Sequence, residues 1–196
     1  MTLTGMTLAR SGHFLLESGY HTDTWFDLDS LFVDTHTIRA EVRKLSELIR
    51  PHNVNGVCGP LLGGAFLAQG IANELDVPFF FTRKSEDVID DELFRARYRL
   101  PSALRRTVTG HRIAVVDDVI SAGSSTRATV TELIQAGAHP VVVGCLMFFG
   151  REGKAYFQTQ GLEVVSNGER DLMLWQTATC PLCKAGVPLE NPGAEG

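Results

Sequence analysis

Short apolar runs recur along the chain, and the stretches between them carry apolar residues at helical spacing. The runs have the length and composition of strands that are buried on both faces of a parallel sheet. The strongest runs lie at 54–58, 77–82, 113–116 and 141–147, and weaker ones lie at 162–166 and 172–176.

Three of the stretches between these runs predict helices, at 34–50, 65–75 and 126–136. In the first, apolar residues recur at spacings of three and four, Asp34 or Thr35 can cap the start, and Pro51 ends the pattern. The alternation of strand and helix predicts an α/β fold with a doubly wound, mostly parallel sheet.

We expect one domain over residues 1–196, with its α/β core at 34–177. The N-terminal segment, 1–33, has short and irregular apolar spacing. Residues 84–109 are polar and poorly periodic, and so long a segment inside a compact domain is typical of a functional flap. The tail, 178–196, carries a Cys-x-x-Cys pair, and its last part, 186–196, is rich in Pro, Gly and Glu, which predicts a loose end.

Composition excludes several classes of protein. The chain has 196 residues, of which 44% are hydrophobic and 21% charged, enough for a sizeable core. A net charge of −5 argues against nucleic-acid binding. The most apolar stretch, 141–149, is too short to span a membrane, and Met1 to Ser11 lack a secretory signal. The four cysteines do not have the pattern of a secreted disulfide framework. Together these observations predict a cytoplasmic protein.

The run at 113–116 leads into two adjacent acids, Asp117 and Asp118, and then into small hydroxyl residues and a helix. A strand, a tight turn and a helix N-terminus build an anion site, because the first N–H groups of the helix are unpaired. The acids would repel a phosphate, so they require sugar hydroxyls or a divalent cation as partners. A phosphorylated sugar with free hydroxyls satisfies all of these groups.

The stretch 115–126 resembles the motif with which type I phosphoribosyltransferases bind 5-phosphoribosyl 1-diphosphate (PRPP). The resemblance implies that Asp117 and Asp118 hold the ribose hydroxyls and Mg²⁺, the ion being bound mainly through PRPP and water. It also implies that a loop holds the 5-phosphate, with the residues Ser121, Ala122, Gly123, Ser124 and Ser125.

Two further stretches fit a diphosphate site. The glycine-rich turn 59–64 lies between a predicted strand and helix, and the resemblance assigns diphosphate contacts to Leu61 and Gly63. Arg83 and Lys84 follow the next strand, at the sheet edge where ligands of open α/β folds bind. In orotate phosphoribosyltransferases an Arg-Lys pair at this position contacts the diphosphate of PRPP.

Residues 12–27 resemble the segment that those orotate enzymes fold as a hood over the base. The resemblance implies base contacts from Phe14, Ser18, Gly19, Phe26 and Ser121. Where many of these enzymes carry a lysine before Ser-Gly, this chain has Glu17, so either Glu17 points elsewhere or the base differs.

The flap lacks the Lys-x-His-Gly signature of the orotate enzymes, which leaves Arg95, Arg97 and Arg99 as candidate catalytic cations beside Asp117 and Asp118. Cys180 and Cys183 form a single C-x-x-C pair. Packing, a zinc site and a redox pair stay open for it, and zinc would require further ligands from the partner chain, Cys58, Cys145 or a distant histidine.

We therefore expect a Mg²⁺-dependent, homodimeric transferase that moves the 5-phosphoribosyl group from PRPP to orotate and releases pyrophosphate, forming orotidine 5′-monophosphate. The alternatives are a phosphoribosyltransferase for a purine or another base, and a non-catalytic regulator that binds PRPP. A membrane partner is not expected.

Overall fold

A computed structural model describes residues 9–26, 29–88 and 93–194 of the chain. These residues form a two-stranded sheet and a separate six-stranded sheet. The strands are β1 (Ala9–Leu15), β2 (His21–Phe26), β3 (Gly56–Pro60), β4 (Phe79–Val88), β5 (Ala96–Arg99), β6 (Arg112–Ile120), β7 (His139–Phe149) and β8 (Glu163–Arg170).

In the described part of the chain, six α-helices accompany the strands, together with four short 3-10 helices, at Asp29–Phe32, Arg50–His52, Thr177–Thr179 and Pro192–Ala194. The α-helices are α1 (Thr35–Ile49), α2 (Gly63–Leu75), α3 (Ser102–Thr107), α4 (Ser124–Gln135), α5 (Glu152–Thr159) and α6 (Pro181–Lys184). Within the described ranges, no helix is both long and apolar enough to cross a membrane.

The large sheet has the strand order β5-β4-β3-β6-β7-β8. All neighbouring strands in it are parallel except β4 and β5, which are antiparallel. This confirms the predicted α/β fold with a mostly parallel sheet. From β3 the chain continues to β4 on one side and later returns as β6 on the other, so the carboxyl ends of β3 and β6 flank the crevice where such sheets bind ligands.

Strand β6 shows how the two faces of the sheet are built. Ile113 and Val115 belong to one buried cluster, which also contains Val130 and Leu133 of α4. Ala114 and Val116 belong to a second cluster, which contains residues of α1 and α2. Successive side chains of a strand point to opposite faces, so Asp117 continues the α4 face and Asp118 the α2 face.

The first predicted helix is confirmed as α1, and Asp34 caps it by accepting hydrogen bonds from the backbone N–H groups of His36 (3.0 Å) and Thr37 (3.3 Å). Strand β6 is longer than predicted, because it includes both acids and ends at Ile120. Helix α4 correspondingly begins two residues earlier than predicted, at Ser124.

The segment 84–109 contains regular structure on both sides of residues 89–92, which lie outside the described ranges. Strand β4 continues to Val88 and pairs with β5, and α3 follows. Strand β5 alternates charged and apolar residues because it is an edge strand with one buried face, which carries Ala96 and Tyr98. Helix α5 is not among the predicted elements, and the stretch 172–176, predicted as a strand, makes only a single bridge, from Trp175 to His21.

We call the antiparallel hairpin of β1 and β2 the hood, and residues 178–194 the tail. The expectation of a loose tail is wrong, because Glu190 lies alongside β1. Its N–H donates to the His13 carbonyl and its carbonyl accepts from the Leu15 N–H, both at 2.8 Å. Glu190 also forms an ion pair with Arg10 at 2.7 Å.

Candidate active site

The acidic pair lies in the crevice between β3 and β6. Oδ2 of Asp117 accepts hydrogen bonds from the hydroxyls of Ser125 (2.7 Å) and Thr126 (3.1 Å), and its Oδ1 accepts from the N–H of Asp118 (3.1 Å). Burial raises the pKa of Asp117 well above its usual range, as does the neighbouring Asp118, while the two hydroxyls oppose the shift. Asp117 thus ties the strand to the first turn of α4.

Asp118 faces the glycine-rich turn that precedes α2. A Cβ at Gly63 would collide with the carboxylate of Asp118, and a Cβ at Gly64 would lie 2.6 Å from Oδ1 of Asp117. Only residues without a side chain let the backbone of α2 come this close to the acids. The structure therefore brings together the two predicted phosphate-binding turns, with the carboxylates between them.

The loop between β6 and α4 leaves the N-terminus of α4 uncapped by any side chain. Gly123 occupies the cap position with φ of 80°, a left-handed conformation that glycine adopts without strain. The hydroxyl of Ser124 is buried and has no hydrogen-bond partner. An uncapped helix end carries roughly half a positive charge, so this loop presents donors and positive potential to an anion.

Other residues of the two loops have structural partners. Ser121 is half-buried, and its carbonyl accepts from the Gly153 N–H at 3.1 Å. Ala122 is fully buried. The N–H of Leu61, an expected diphosphate donor, instead donates to the carbonyl of Thr82 at 2.9 Å, so the turn is fastened to β4.

Arg83 and Lys84 are both exposed on β4. Arg83 lies over the ring of Phe81, with its guanidinium carbon 5.6 Å from the centroid. Lys84 forms an ion pair with Glu17 of the hood, at 2.7 Å between Nζ and Oε1. The hydroxyl of Tyr98 also donates to Glu17, at 3.1 Å, and burial together with this carboxylate raises the pKa of Tyr98.

Sequence reasoning missed this arrangement of Glu17. Lys84 and Tyr98 are opposite each other in the β4–β5 register, and both turn toward the same hood carboxylate. Glu17 therefore points toward one of the expected diphosphate contacts, which answers the question that its unusual position raised.

The three flap arginines occupy different environments. Arg95 is exposed, and Arg97 is half-buried in the wall of a cavity of about 280 Å³ between β5 and α4. Arg99 forms an ion pair with the buried Glu132 of α4 at 3.0 Å, and Arg105 contacts the same carboxylate. The expectation that Arg99 serves catalysis conflicts with this contact, because its charge already compensates a buried acid.

Arg127 is a member of this cavity wall that sequence reasoning missed. Its guanidinium lies between two aromatic rings, 4.0 Å from the centroid of Phe94 and 3.8 Å from that of Tyr156. Burial lowers the pKa of Arg127. The sequence around Arg127 does not indicate this stacking, because the two rings belong to distant segments of the chain.

The hood residues do not all face a ligand. Phe14 is fully buried against Trp25, with Arg10 over its ring, so it does not present a face to a base. Phe26 is half-buried and stacks on Phe149, with the ring centroids 4.1 Å apart.

The turn between β1 and β2 is also engaged. The N–H of Gly19 donates to the Leu16 carbonyl at 2.9 Å, and the carbonyl of Ser18 accepts from the N–H of Phe94 at 2.9 Å. The expected donation from Gly19 to a base conflicts with the first of these bonds. The second fastens the hood to the segment that precedes β5.

Of the C-x-x-C pair, Cys180 directly precedes α6 and Cys183 lies within it, and both contact the hood histidines His13 and His21. Cys58 and Cys145, the other cysteines considered as metal ligands, are buried in the core of the large sheet. Burial raises the pKa of both of these thiols. Of the additional ligands considered for Cys180 and Cys183, the structure therefore places distant histidines beside them, and neither Cys58 nor Cys145.

Comparison with known proteins agrees with this geometry. A family profile for the phosphoribosyl transferase domain matches residues 32–175. The orotate phosphoribosyltransferase of Thermotoga maritima is 31% identical over 185 residues, covering 94% of this chain and 91% of the relative. That of Caldanaerobacter subterraneus subsp. tengcongensis is 28% identical over 189 residues, covering 96% and 92%.

Solved structures share the fold at lower sequence identity. Orotate phosphoribosyltransferase from Aeropyrum pernix has a TM-score of 0.64 and 22% identity, covering 91% of this chain and 93% of the other. Adenine phosphoribosyltransferase from Thermoanaerobacter pseudethanolicus has a TM-score of 0.61 and 16% identity, covering 75% and 88%. Because the family profile spans most of the chain, this chain belongs to the phosphoribosyltransferase family.

Proposed function

We propose that this protein transfers the 5-phosphoribosyl group from PRPP to orotate and forms orotidine 5′-monophosphate. The bond from the ribose C1 to the diphosphate breaks, with its electron pair leaving on pyrophosphate. A new bond joins C1 to a ring nitrogen of orotate, which loses its proton. The observation that carries the proposal is the pair Asp117 and Asp118, held between the glycine turn of α2 and the uncapped N-terminus of α4.

The loop 121–125 is the proposed site of the 5-phosphate. The buried hydroxyl of Ser124 has no hydrogen-bond partner, and a buried donor without a partner costs about 1–3 kcal/mol. A phosphate at the N-terminus of α4 would accept from this hydroxyl and from the unpaired N–H groups of the first turn.

The acids are the proposed partners of the ribose hydroxyls. Both are oxygen ligands on the β3–β6 crevice, the type of ligand that Mg²⁺ prefers, so the residues fit this ion. When bound, Mg²⁺ would neutralise charge that develops on the departing diphosphate. Asp117 accepts from two hydroxyls of α4 and therefore also orients the loop, while Asp118, which accepts from the N–H of Val119 at 2.7 Å, faces the glycine turn of α2.

The diphosphate would lie near Gly63 and the exposed cations Arg83 and Lys84. A diphosphate competes with Glu17 for Lys84, since one ammonium cannot fully compensate both. Arg97, in the cavity wall beside Ser124, is the flap cation whose position best supports a contact with developing phosphate charge. Catalysis would then rest on positioning and electrostatics.

Orotate is the proposed base because the relatives that align with nearly the whole chain are orotate enzymes. Phe26 and Ser121 remain the proposed base contacts, while Ser18, which is buried, and Phe14 and Gly19 would have to leave their present partners to serve. Transfer to a purine is the second candidate, because Glu17 stands where many orotate enzymes carry a lysine.

The test is pyrophosphate release from PRPP and Mg²⁺ with orotate, uracil, adenine, hypoxanthine and xanthine offered in parallel. Release with orotate alone is the expected result. Release with a purine would overturn the choice of base and keep the PRPP site. PRPP binding without release for any base would favour a non-catalytic regulator.

We also propose that the protein works as a homodimer, as the family resemblance implies. Sedimentation at micromolar concentration should give twice the chain mass of 21.4 kDa. A monomer that retains full turnover would contradict this part of the proposal. We assign no role in the transfer reaction to a metal at Cys180 and Cys183.

A further inference from the structure

Four potential metal ligands from distant parts of the chain meet where the tail crosses the hood. They are His13 and His21 of the hood and Cys180 and Cys183 of the tail, and their ligand atoms all lie within 4.8 Å of one another. His13 Nε2 lies 2.9 Å from His21 Nδ1 and 3.4 Å from the sulfur of Cys180. The sulfur of Cys183 lies 3.3 Å from His21 Nδ1 and 3.7 Å from His13 Nε2.

These separations are close to those of a tetrahedral zinc site. With Zn–N near 2.05 Å and Zn–S near 2.3 Å, tetrahedral angles place N and S ligands roughly 3.6 Å apart and two N ligands roughly 3.3 Å apart. Three of the four N–S distances, 3.3, 3.4 and 3.7 Å, scatter around the first value. The N–N distance of 2.9 Å is a few tenths of an ångström shorter, which a small ring rotation would correct.

The remaining nitrogen of each histidine is already oriented. His13 Nδ1 lies 2.8 Å from the carbonyl of Val187, which can only accept, so this nitrogen carries the proton and Nε2 keeps its lone pair. His21 Nε2 lies 3.4 Å from the hydroxyl of Thr177. Histidines that bind metals commonly donate from the other ring nitrogen to such groups.

The fixed tautomer has a consequence for His21. Since His13 Nε2 bears no proton, the hydrogen bond between the two rings requires His21 Nδ1 to donate. The single lone pair of His13 Nε2 is then shared by the second ring and by the nearby thiols of Cys180 and Cys183. A cation at the centre would satisfy all four ligand atoms at once. His13, His21 and Cys180 are buried, with 1%, 3% and 0% of their surface exposed, while the exposed Cys183 leaves the group reachable from solvent.

We infer that His13, His21, Cys180 and Cys183 form a structural zinc site that fastens the tail to the hood. Zinc binding would displace the two thiol protons to solvent and leave thiolates as ligands, and the proton of His21 would move from Nδ1 to Nε2, beside the Thr177 hydroxyl, so that Nδ1 offers its lone pair to the ion. Four protein ligands complete the coordination, so the ion has no open position for chemistry. The inference does not depend on the proposed transfer reaction, because it concerns the stability of the hood.

The hood has a need for such an anchor. A two-stranded sheet is marginally stable alone, and the hood pairs with no strand of the large sheet among the described residues. Main-chain bonds from Glu190 and Trp175 hold the tail and the stretch before it on the hood, and the two cysteines lie between these contacts in the sequence. Zinc would therefore stabilise the contacts of both Trp175 and Glu190 with the hood.

The test is the metal content of the purified full-length protein, measured by mass spectrometry of its elements. About one zinc per chain is expected, and Cys183→Ser and His21→Gln should each lower the content at least tenfold. His139→Gln is the matched control, because His139 is exposed and lies outside the group. Both ligand variants should also lower the midpoint of thermal unfolding, and a chelator should lower that of the wild type but not of the variants.

If the ligand variants fail to fold, cobalt titration of wild-type protein that a chelator has freed of metal still tests the proposed zinc site. Tetrahedral coordination by two thiolates and two imidazoles should give intense visible bands and a thiolate charge-transfer band, both reversed by zinc. A protein that takes up neither metal with all four cysteines reduced would overturn the inference. A mass loss of two hydrogens on Cys180–Cys183 in the isolated protein, without metal, would overturn it in favour of a redox pair.

Discussion

Replacing Glu17 by glutamine should tighten PRPP binding, because the substitution removes the partner that holds Lys84. The ion pair spans 2.7 Å, but the Lys84 and Glu17 side chains are 57% and 31% exposed. Partly exposed pairs contribute about 0.2–1 kcal/mol. If Lys84 must leave this pair to reach the diphosphate, Glu17→Gln should lower the KM or Kd for PRPP roughly 1.4- to 5-fold. The amide oxygen of the new side chain can still accept from the hydroxyl of Tyr98, so the hood should stay in place.

The assay is calorimetric titration with PRPP and Mg²⁺, which works even for a protein without turnover. Glu169→Gln is the matched control, since Glu169 also pairs with a lysine, Lys154, on the surface. The gain should shrink as salt rises and vanish in a Lys84→Ala background. Weaker binding by Glu17→Gln, or an equal gain in the Lys84→Ala background, would refute the competition between Glu17 and the diphosphate.

The remaining predictions concern the acids, the flap and a buried charge. Asp118→Asn should lower kcat/KM for PRPP by roughly 10²-fold, while the exposed Asp171→Asn keeps the wild-type rate. Arg97→Ala should lower kcat about tenfold or more, whereas the control Arg106→Ala should leave kcat unchanged. A wild-type kcat for Arg97→Ala would show that Arg97 is not part of the site. Glu132→Gln weakens contacts to two arginines and a backbone N–H, and should cost about 2–3 kcal/mol, which a fall of roughly 5–10 °C in the midpoint of thermal unfolding would reveal.

The core of the fold could be predicted because its strands are buried on both faces and therefore appear as uninterrupted apolar runs. Strand β6 shows the limit of that signal. Its apolar run stops at Val116, yet the strand continues through both acids, because pairing with β7 extends to Ile120. Backbone pairing does not depend on side-chain polarity, and so the strand extends beyond its run of apolar residues.

The flap is harder to predict for a related reason. Strand β5 has one buried face and carries arginines on the other, and such alternation predicts a strand without revealing its partner. The partner is β4, and the contact that fixes the other face is the buried Glu132, more than thirty residues later. A single sequence carries no sign of such a long-range charge contact, which is why the sequence pattern suggests catalysis for Arg99.

The adjacent acids illustrate how strand geometry divides two roles between identical side chains. Alternation sends Asp117 to the face of α4, where two hydroxyls of the first helical turn donate to it, and sends Asp118 to the face of α2, against Gly63. Loss of the Asp117 carboxylate would release the loop as well as a ligand contact, whereas loss of the Asp118 carboxylate leaves the loop fastened. If the proposed function holds, two acids in succession are thus the shortest sequence by which one strand can orient a phosphate site on one face and present a carboxylate to the sugar on the other.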